Sequence, residues 1–241
     1  MNRATLLSLI AGTSILGMSS AGIAAEPRAV VELFTSQGCS SCPPADKLAG
    51  ELARDPSIIV ISMPVDYWDY LGWKDTLASP SYSARQRAYS SMRGDRDVYT
   101  PQVVVNGSAQ VLGSDKSAIE RAISQSRKSI ATVPVTLTKA NGRLNVSVAE
   151  GKGQGEVWLC GIATMVPVSI ARGENSGRMI TYTNVSRRLV KLGDWKGSAA
   201  TWTVPLSDFA GEGIDAAAVM VQTGSGEKPG PMLGAAFAAL N

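Results

Sequence analysis

The hydrophobic pattern of the chain changes near residue 130. Before that point short apolar runs alternate with helical patterns, and after it short strands are separated by glycine-rich turns. Strands that alternate with helices are typical of α/β folds, whereas many short strands favour a β-sandwich. The pattern therefore predicts an α/β domain over residues 26–130 and a β-rich, sandwich-like domain over residues 131–241.

Two cysteines stand at the first junction between a strand and a helix. Residues 29–35 form a β-rich run, residues 45–54 have helical spacing, and Cys39 and Cys42 lie between them. Unpaired amides and the helix dipole at such a helix start stabilise a thiolate, which is the reactive form of cysteine. The pair is therefore a candidate redox couple, in which Cys39 attacks and Cys42 resolves.

The residues alone leave two other roles open for this pair. A metal site needs more ligands than two thiols, and Met63 or Met92 could complete a soft copper(I) site. A purely structural disulfide is the third alternative, although a bond that closes so short a loop removes little chain entropy.

Composition narrows the chemistry further. The chain has no histidine and three cysteines, which excludes histidine-based triads, histidine-ligated zinc and a four-thiolate zinc site within one chain. Its formal net charge of +3 is too balanced to indicate a nucleic-acid partner. The groups that remain for chemistry are thiols, carboxylates, hydroxyls and the backbone. We expect no organic cofactor.

Residues 1–25 are typical of a secretory signal peptide. Arg3 supplies the positive start, residues 6–18 form a short apolar centre, and Ala24 or Ala25 ends it with a small residue. No later segment approaches the roughly 20 apolar residues that a membrane span requires. We therefore expect a periplasmic or secreted protein that has no transmembrane segment after signal cleavage.

The order strand, Cys-x-x-Cys, helix, strand and then T-P-Q-V-V-V-N-G at residues 100–107 resembles the thioredoxin-like superfamily. A closer resemblance is to a family of secreted bacterial proteins with a thioredoxin-like N-terminal half, catalogued as a domain of unknown function (number 1223). It is carried by V-D-Y-W-D-Y-L-G-W-K-D, V-Y-T-P-Q-V-V-V-N-G, G-E-N-S-G-R and G-P-M-L-G-A-A, and it runs through nearly all of the chain after the signal peptide.

This resemblance implies roles for three further residues. Pro101 corresponds to the cis-proline that lies opposite the cysteine pair, and the backbone of Thr100 to the segment that pairs with an extended substrate. Glu32, on the strand before the cysteines, corresponds approximately to a buried acid that relays a proton to the second cysteine. A carboxyl in an apolar strand should have a raised pKa, unless the strand is at an edge and the carboxylate is solvated or paired. The chain departs from thioredoxins at Gly38, where they usually have tryptophan.

Aromatic and acidic residues follow the second apolar strand. Ligands of open α/β sheets bind beyond the carboxyl ends of the strands, so Asp66 and Trp68, with Tyr70 and Trp73, could form a substrate wall beside Cys39. These aromatic residues could equally cover the junction between the two domains. The segment 173–178 reads as a structural turn.

Together these features predict an exported thiol–disulfide oxidoreductase whose partners are exported protein thiols or disulfides. The alternative is a copper- or protein-binding module with a thioredoxin-like fold and no redox turnover. Cys160 lies in an apolar strand, where a free thiol is usually a small buried hydrophobe, although an odd cysteine can also be a third redox partner. The sequence does not indicate whether the protein oxidises, reduces or isomerises its partners, nor its oligomeric state.

Overall fold

A computed structural model of the protein describes residues 27–130, 132–211 and 213–240, so the predicted signal peptide lies outside the described residues. The helices are α1 (Pro43–Leu52), α2 (Pro80–Arg93), α3 (Lys116–Ile130) and the short α4 (Leu206–Phe209), with a 3-10 turn at Asp69–Leu71. None of the helices in this part of the chain has the length and apolar content that a membrane crossing requires. The strands are β1 (Ala29–Thr35), β2 (Ile58–Pro64), β3 (Gln102–Val105), β4 (Ala109–Leu112), β5 (Val135–Ala140), β6 (Arg143–Val148), β7 (Gly155–Ser169), β8 (Met179–Trp195), β9 (Ala200–Pro205), β10 (Ala216–Ser225) and β11 (Lys228–Ala239).

Eight of these strands form one mixed sheet, in the order β11-β10-β7-β8-β2-β1-β3-β4. β1 is parallel to β2 and antiparallel to β3. β8 joins the two halves because it pairs with β2 at Ser62 and Val185, and the Ser62 hydroxyl donates a 2.7 Å hydrogen bond to the carbonyl of Thr183. Strands from both halves of the chain thus share one backbone ladder.

The fold class predicted from the sequence is wrong. The structure is mostly β, since 45% of the residues it describes are in strands and 21% in helices, and its large sheet is not that of a separate thioredoxin-like α/β domain followed by a sandwich. The prediction failed because an open strand edge must be paired or covered, and hydrophobic periodicity does not show which distant strand pairs with it. The division into domains at residues 130 and 131 stays a prediction, and strands from both sides of it enter the sheet.

The two faces of β1 are covered by different helices. Val31 and Leu33 pack with the apolar side of α1 and with α3, whereas Val30 and Phe34 pack on the side of α2. Successive side chains of a strand point to opposite faces, so Glu32 lies on the α2 face and Thr35 on the α1 face. This alternation decides which polar groups can approach the cysteines.

The second sheet, in the order β5-β6-β9, covers part of the large one. Leu144, Val146 and Val148 of β6 share a buried apolar cluster with Leu159 of β7 and Val219 of β10. Since β6 alternates buried and more exposed residues, one face packs inward and the other meets solvent.

A buried ion pair connects β1, α2 and β10. Arg85 Nε donates a 2.6 Å hydrogen bond to Glu32 Oε1, and the hydroxyl of Tyr89 donates one of 2.5 Å to Glu32 Oε2. Arg85 Nη2 also donates to Gln222 Oε1 at 2.9 Å. The Glu32 and Arg85 side chains are 0% and 5% exposed, so each charge depends on these partners.

Replacement of Arg85 by methionine should lower the free energy of unfolding by about 3–5 kcal/mol, because the Glu32 carboxylate is left buried without its cation. Urea denaturation of the two purified proteins measures this difference. Arg93→Met is the matched control on the same helix, since the Arg93–Asp95 pair is partly exposed and should contribute less than about 1 kcal/mol. Equal losses in both variants would contradict this account of the core.

Candidate functional site

Cys39 and Cys42 form a disulfide at the start of α1, with their Cα atoms 5.4 Å apart. Cys42 is the N-cap residue of the helix, and Pro43 occupies the first turn, where a missing amide donor costs least. Cys39 is 3% exposed and Cys42 is 0% exposed, whereas Ser40 and the following serine between them are exposed. An incoming group therefore reaches the pair from the side of Cys39.

The segment opposite the disulfide carries a cis peptide bond between Thr100 and Pro101, as the sequence resemblance implied. The Cys39 sulfur lies 3.8 Å from the carbonyl oxygen of Thr100. The hydroxyl of Ser41 donates to the same carbonyl at 3.4 Å. The structure thus brings Cys39, Cys42, Thr100 and Pro101 together in one place.

Trp68 lies beside the disulfide and the Thr100–Pro101 segment and forms one wall of the candidate site. Its indole nitrogen donates a 2.8 Å hydrogen bond to the Thr100 hydroxyl, and its ring stacks on Tyr70, which is 75% exposed. A Cβ on Gly38 would lie only 3.0 Å from the Cβ of Trp68. Glycine before Cys39, the departure from the thioredoxin pattern, therefore leaves room for the close approach of Trp68.

The other residues predicted for this wall are oriented differently. Asp66 accepts a 2.5 Å hydrogen bond from the hydroxyl of Ser83, so its carboxylate is held against α2. Trp73 donates through its indole nitrogen to Gln37 Oε1 at 2.7 Å and supports the loop before the cysteines. Their proposed contact with substrate stays a prediction.

Glu32, the predicted proton relay, lies in the ion pair with Arg85 on the α2 face of β1. The cysteine-bearing helix α1 packs on the opposite face. Nothing in the described contacts of Glu32 connects its carboxyl to Cys42.

A second acid, which the sequence analysis missed, lies on the cysteine side. Asp46 is 2% exposed in the first turn of α1, and its Oδ1 accepts a 2.7 Å hydrogen bond from the hydroxyl of Thr35. Its Oδ2 has no hydrogen-bond partner among the described residues. Burial, together with the nearby Asp75 carboxylate, raises the pKa of Asp46 to about 7, although the Thr35 hydrogen bond opposes this. The sequence does contain a signal for this acid: Asp46 follows Cys42 by four residues, about one helical turn, which predicts that both lie on the same side of α1.

The turn between β7 and β8 braces the cysteine loop, whereas the sequence analysis treated it only as a turn. The buried Asn175 donates two 2.9 Å hydrogen bonds, to the carbonyl oxygens of Gln37 and Cys39. Glu174 accepts from the amide of Ser40 at 3.2 Å. The second half of the chain therefore takes part in shaping the site, and no local sequence pattern indicated this.

Cys160 lies apart from the disulfide and is a free, fully buried thiol, as predicted. Its sulfur lies 3.2 Å from the hydroxyl of Ser186. Burial raises the pKa of this thiol to about 12, so it is a poor nucleophile at neutral pH.

The residues considered for copper are not grouped. Within residues 27–130, 132–211 and 213–240, no three side chains of histidine, cysteine, aspartate or glutamate are placed together to hold a metal ion. Met63 is fully buried in the apolar core on the α2 side, and Met92 is 48% exposed on α2.

Asn175→Ala should lower the free energy of unfolding of the oxidised protein by about 1–3 kcal/mol, because two buried carbonyl groups lose their donor. Urea denaturation measures the change. Ser176→Ala is the control in the same turn, since Ser176 is exposed and a surface change should stay within about 0.5 kcal/mol. A stability of Asn175→Ala equal to that of Ser176→Ala would show that the brace is not stabilising.

Comparison with known proteins finds a family model and two solved structures that resemble the chain. A family model described as "Protein of unknown function (DUF1223)" matches residues 30–222. A protein of Agrobacterium tumefaciens with a crystal structure is 32% identical, and the match covers 90% of this chain and 96% of that one with a TM-score of 0.82. HBP35 of Porphyromonas gingivalis is 12% identical over 89% of this chain and 76% of its own, and its TM-score of 0.59 shows a likeness of fold alone. No curated protein matches the chain.

Proposed function

The chain belongs to the DUF1223 family of proteins of unknown function, and we propose that it is an exported thiol–disulfide oxidoreductase that acts on protein thiols or disulfides. The observation that carries the proposal is the Cys39–Cys42 disulfide at the start of α1, with the Thr100–Pro101 segment against Cys39. A bond closing so short a loop links no distant segments, so exchange explains it better than stabilisation does.

The reaction begins when a partner thiolate attacks the Cys39 sulfur. The Cys39–Cys42 bond breaks, a mixed disulfide forms between Cys39 and the partner, and Cys42 leaves as a thiolate. A second partner thiolate then attacks the partner sulfur, which forms the partner disulfide and releases Cys39. The partner is oxidised and the cysteine pair is reduced, and the same steps in reverse reduce a partner disulfide.

The surroundings of Cys39 suit a polypeptide partner. The exposed ring of Tyr70 continues the wall formed by Trp68, which is anchored to Thr100. Ser40 and Ser41 are exposed between the cysteines, so a chain can approach without displacing a buried side chain. Thr100 and Trp68 are proposed to orient this partner.

Export to the periplasm or beyond is part of the proposal. The amino-acid pattern of residues 1–25 supports it, and a disulfide persists most readily in an oxidising compartment. Exported proteins with cysteines are accordingly the proposed partners.

Reduced Cys42→Ser should form complexes with an unfolded, disulfide-bonded polypeptide that survive non-reducing electrophoresis and disappear with dithiothreitol. Cys39 attacks the partner disulfide, and without Cys42 nothing resolves the product. Cys39→Ser should capture nothing, and Cys160→Ser should behave as wild type because that thiol is buried.

Two outcomes would contradict the proposal. If neither cysteine variant captured the polypeptide, the proposed thiol–disulfide exchange would be contradicted. If, in addition, reduced wild type bound copper(I) and both variants lost binding equally, the copper-binding alternative would replace it.

A further inference from the structure

The buried carboxyl of Asp46 lies on the same side of α1 as the Cys42 sulfur. Cys42 already has helical backbone angles, with φ −78° and ψ −35°, and its carbonyl accepts the Asp46 amide at 3.1 Å. Residues four apart in a helix face the same way, with Cβ atoms roughly 5–6 Å apart. Both side chains are buried, at 0% and 2% exposure.

The carboxyl keeps one oxygen available. Thr35 satisfies Oδ1, while Oδ2 has no hydrogen-bond partner among the described residues. A buried carboxyl oxygen without a donor is costly when the group is ionised, so this environment favours a proton on Asp46.

The titratable groups that face Asp46 are Asp75, from the loop before α2, and Tyr182, from β8. β8 lies close to α1, since a Cβ on Gly50 would be 3.1 Å from the Thr183 hydroxyl. β2 contains no titratable residue, and Glu32, the titratable residue of β1, is on the other face. The nearby charge of Asp75 also disfavours ionisation of Asp46.

We propose that Asp46 exchanges a proton with the Cys42 sulfur during thiol–disulfide exchange, an inference that rests on the proposed function. When Cys42 leaves as a thiolate, the Asp46 carboxylic acid donates its proton, which produces a Cys42 thiol and an Asp46 carboxylate. In the reverse direction the carboxylate takes the proton from Cys42, whose thiolate then attacks the mixed disulfide.

Asp46 suits this role better than Glu32 does. Both Glu32 oxygens are engaged, by Arg85 and Tyr89, on the face of β1 that α1 does not cover. With a pKa raised by burial to about 7, Asp46 holds a proton or releases it near neutral pH, where a proton carrier is most effective.

The rate of disulfide reduction by dithiothreitol, corrected for its thiolate fraction, tests the inference. In wild type the corrected rate should be highest below pH 7 and should fall above it, because Asp46 then has no proton to donate. Asp46→Asn should lose this inflection and react about 10²-fold more slowly at pH 6, the lower end of what a positioned acid contributes. Glu51→Gln, an exposed acid on the same helix, should match wild type.

A second measurement is made on the wild-type protein, and Asp46→Asn is needed only to assign the Asp46 signal. ¹³C NMR of the Asp46 carboxyl in wild type should show a midpoint near pH 7 in the oxidised protein. Reduction should raise that midpoint, because the Asp46 carboxyl and the Cys42 thiol then titrate as a coupled pair, and loss of both protons would place two like charges together.

The inference would be overturned if Asp46→Asn had the same pH–rate profile as wild type. It would also be overturned if the Asp46 midpoint were the same in the oxidised and the reduced protein. A loss of stability with the inflection retained would also overturn it, since Asp46 would then be only structural. Failure of the proposed function is separate, because Cys42→Ser would then capture no partner.

Discussion

The ion pair of Glu32 and Arg85 is the constraint on which the arrangement of the site depends. A charge without a partner in a protein interior is costly, so β1 and α2 must meet where these two groups touch. β1 ends in the cysteine loop, and α2 leads to the Thr100–Pro101 segment. The next residue of α2, Gln86, donates to the carbonyl of Tyr99 at 2.8 Å and so holds that segment directly. The ion pair thereby fixes the two sides of the site relative to each other.

The second half of the chain completes this arrangement. Gln222 of β10 binds Arg85, and Asn175 in the β7–β8 turn binds the carbonyl of Cys39. β8 also lies against α1, where Tyr182 faces the buried Asp46. The large sheet therefore helps to shape the site, because its strands after residue 130 position Gln222 against Arg85, Tyr182 against Asp46 and Asn175 against the cysteine loop.

Local features of the site could be predicted from the sequence, and the long-range ones could not. The strand, the cysteine pair, the helix that starts beside it and the cis bond at Pro101 all follow from short patterns or from the family resemblance, and membership of that family is confirmed. The fold class was wrong because the pairing of β2 with β8 joins segments far apart in the chain. The family resemblance implies Glu32 as the proton relay, but the alternation of side chains along β1 places Glu32 on the α2 face, opposite the cysteine-bearing helix α1.

The reduction potential of the Cys39–Cys42 pair tests the central claim most directly. It is measured by equilibrating the protein with thiol–disulfide buffers of known potential and counting reduced cysteines by alkylation. A pair that exchanges with protein thiols should have a potential between about −270 and −120 mV, the range of proteins that carry out such exchange. A potential below about −300 mV, typical of structural disulfides, would contradict the account.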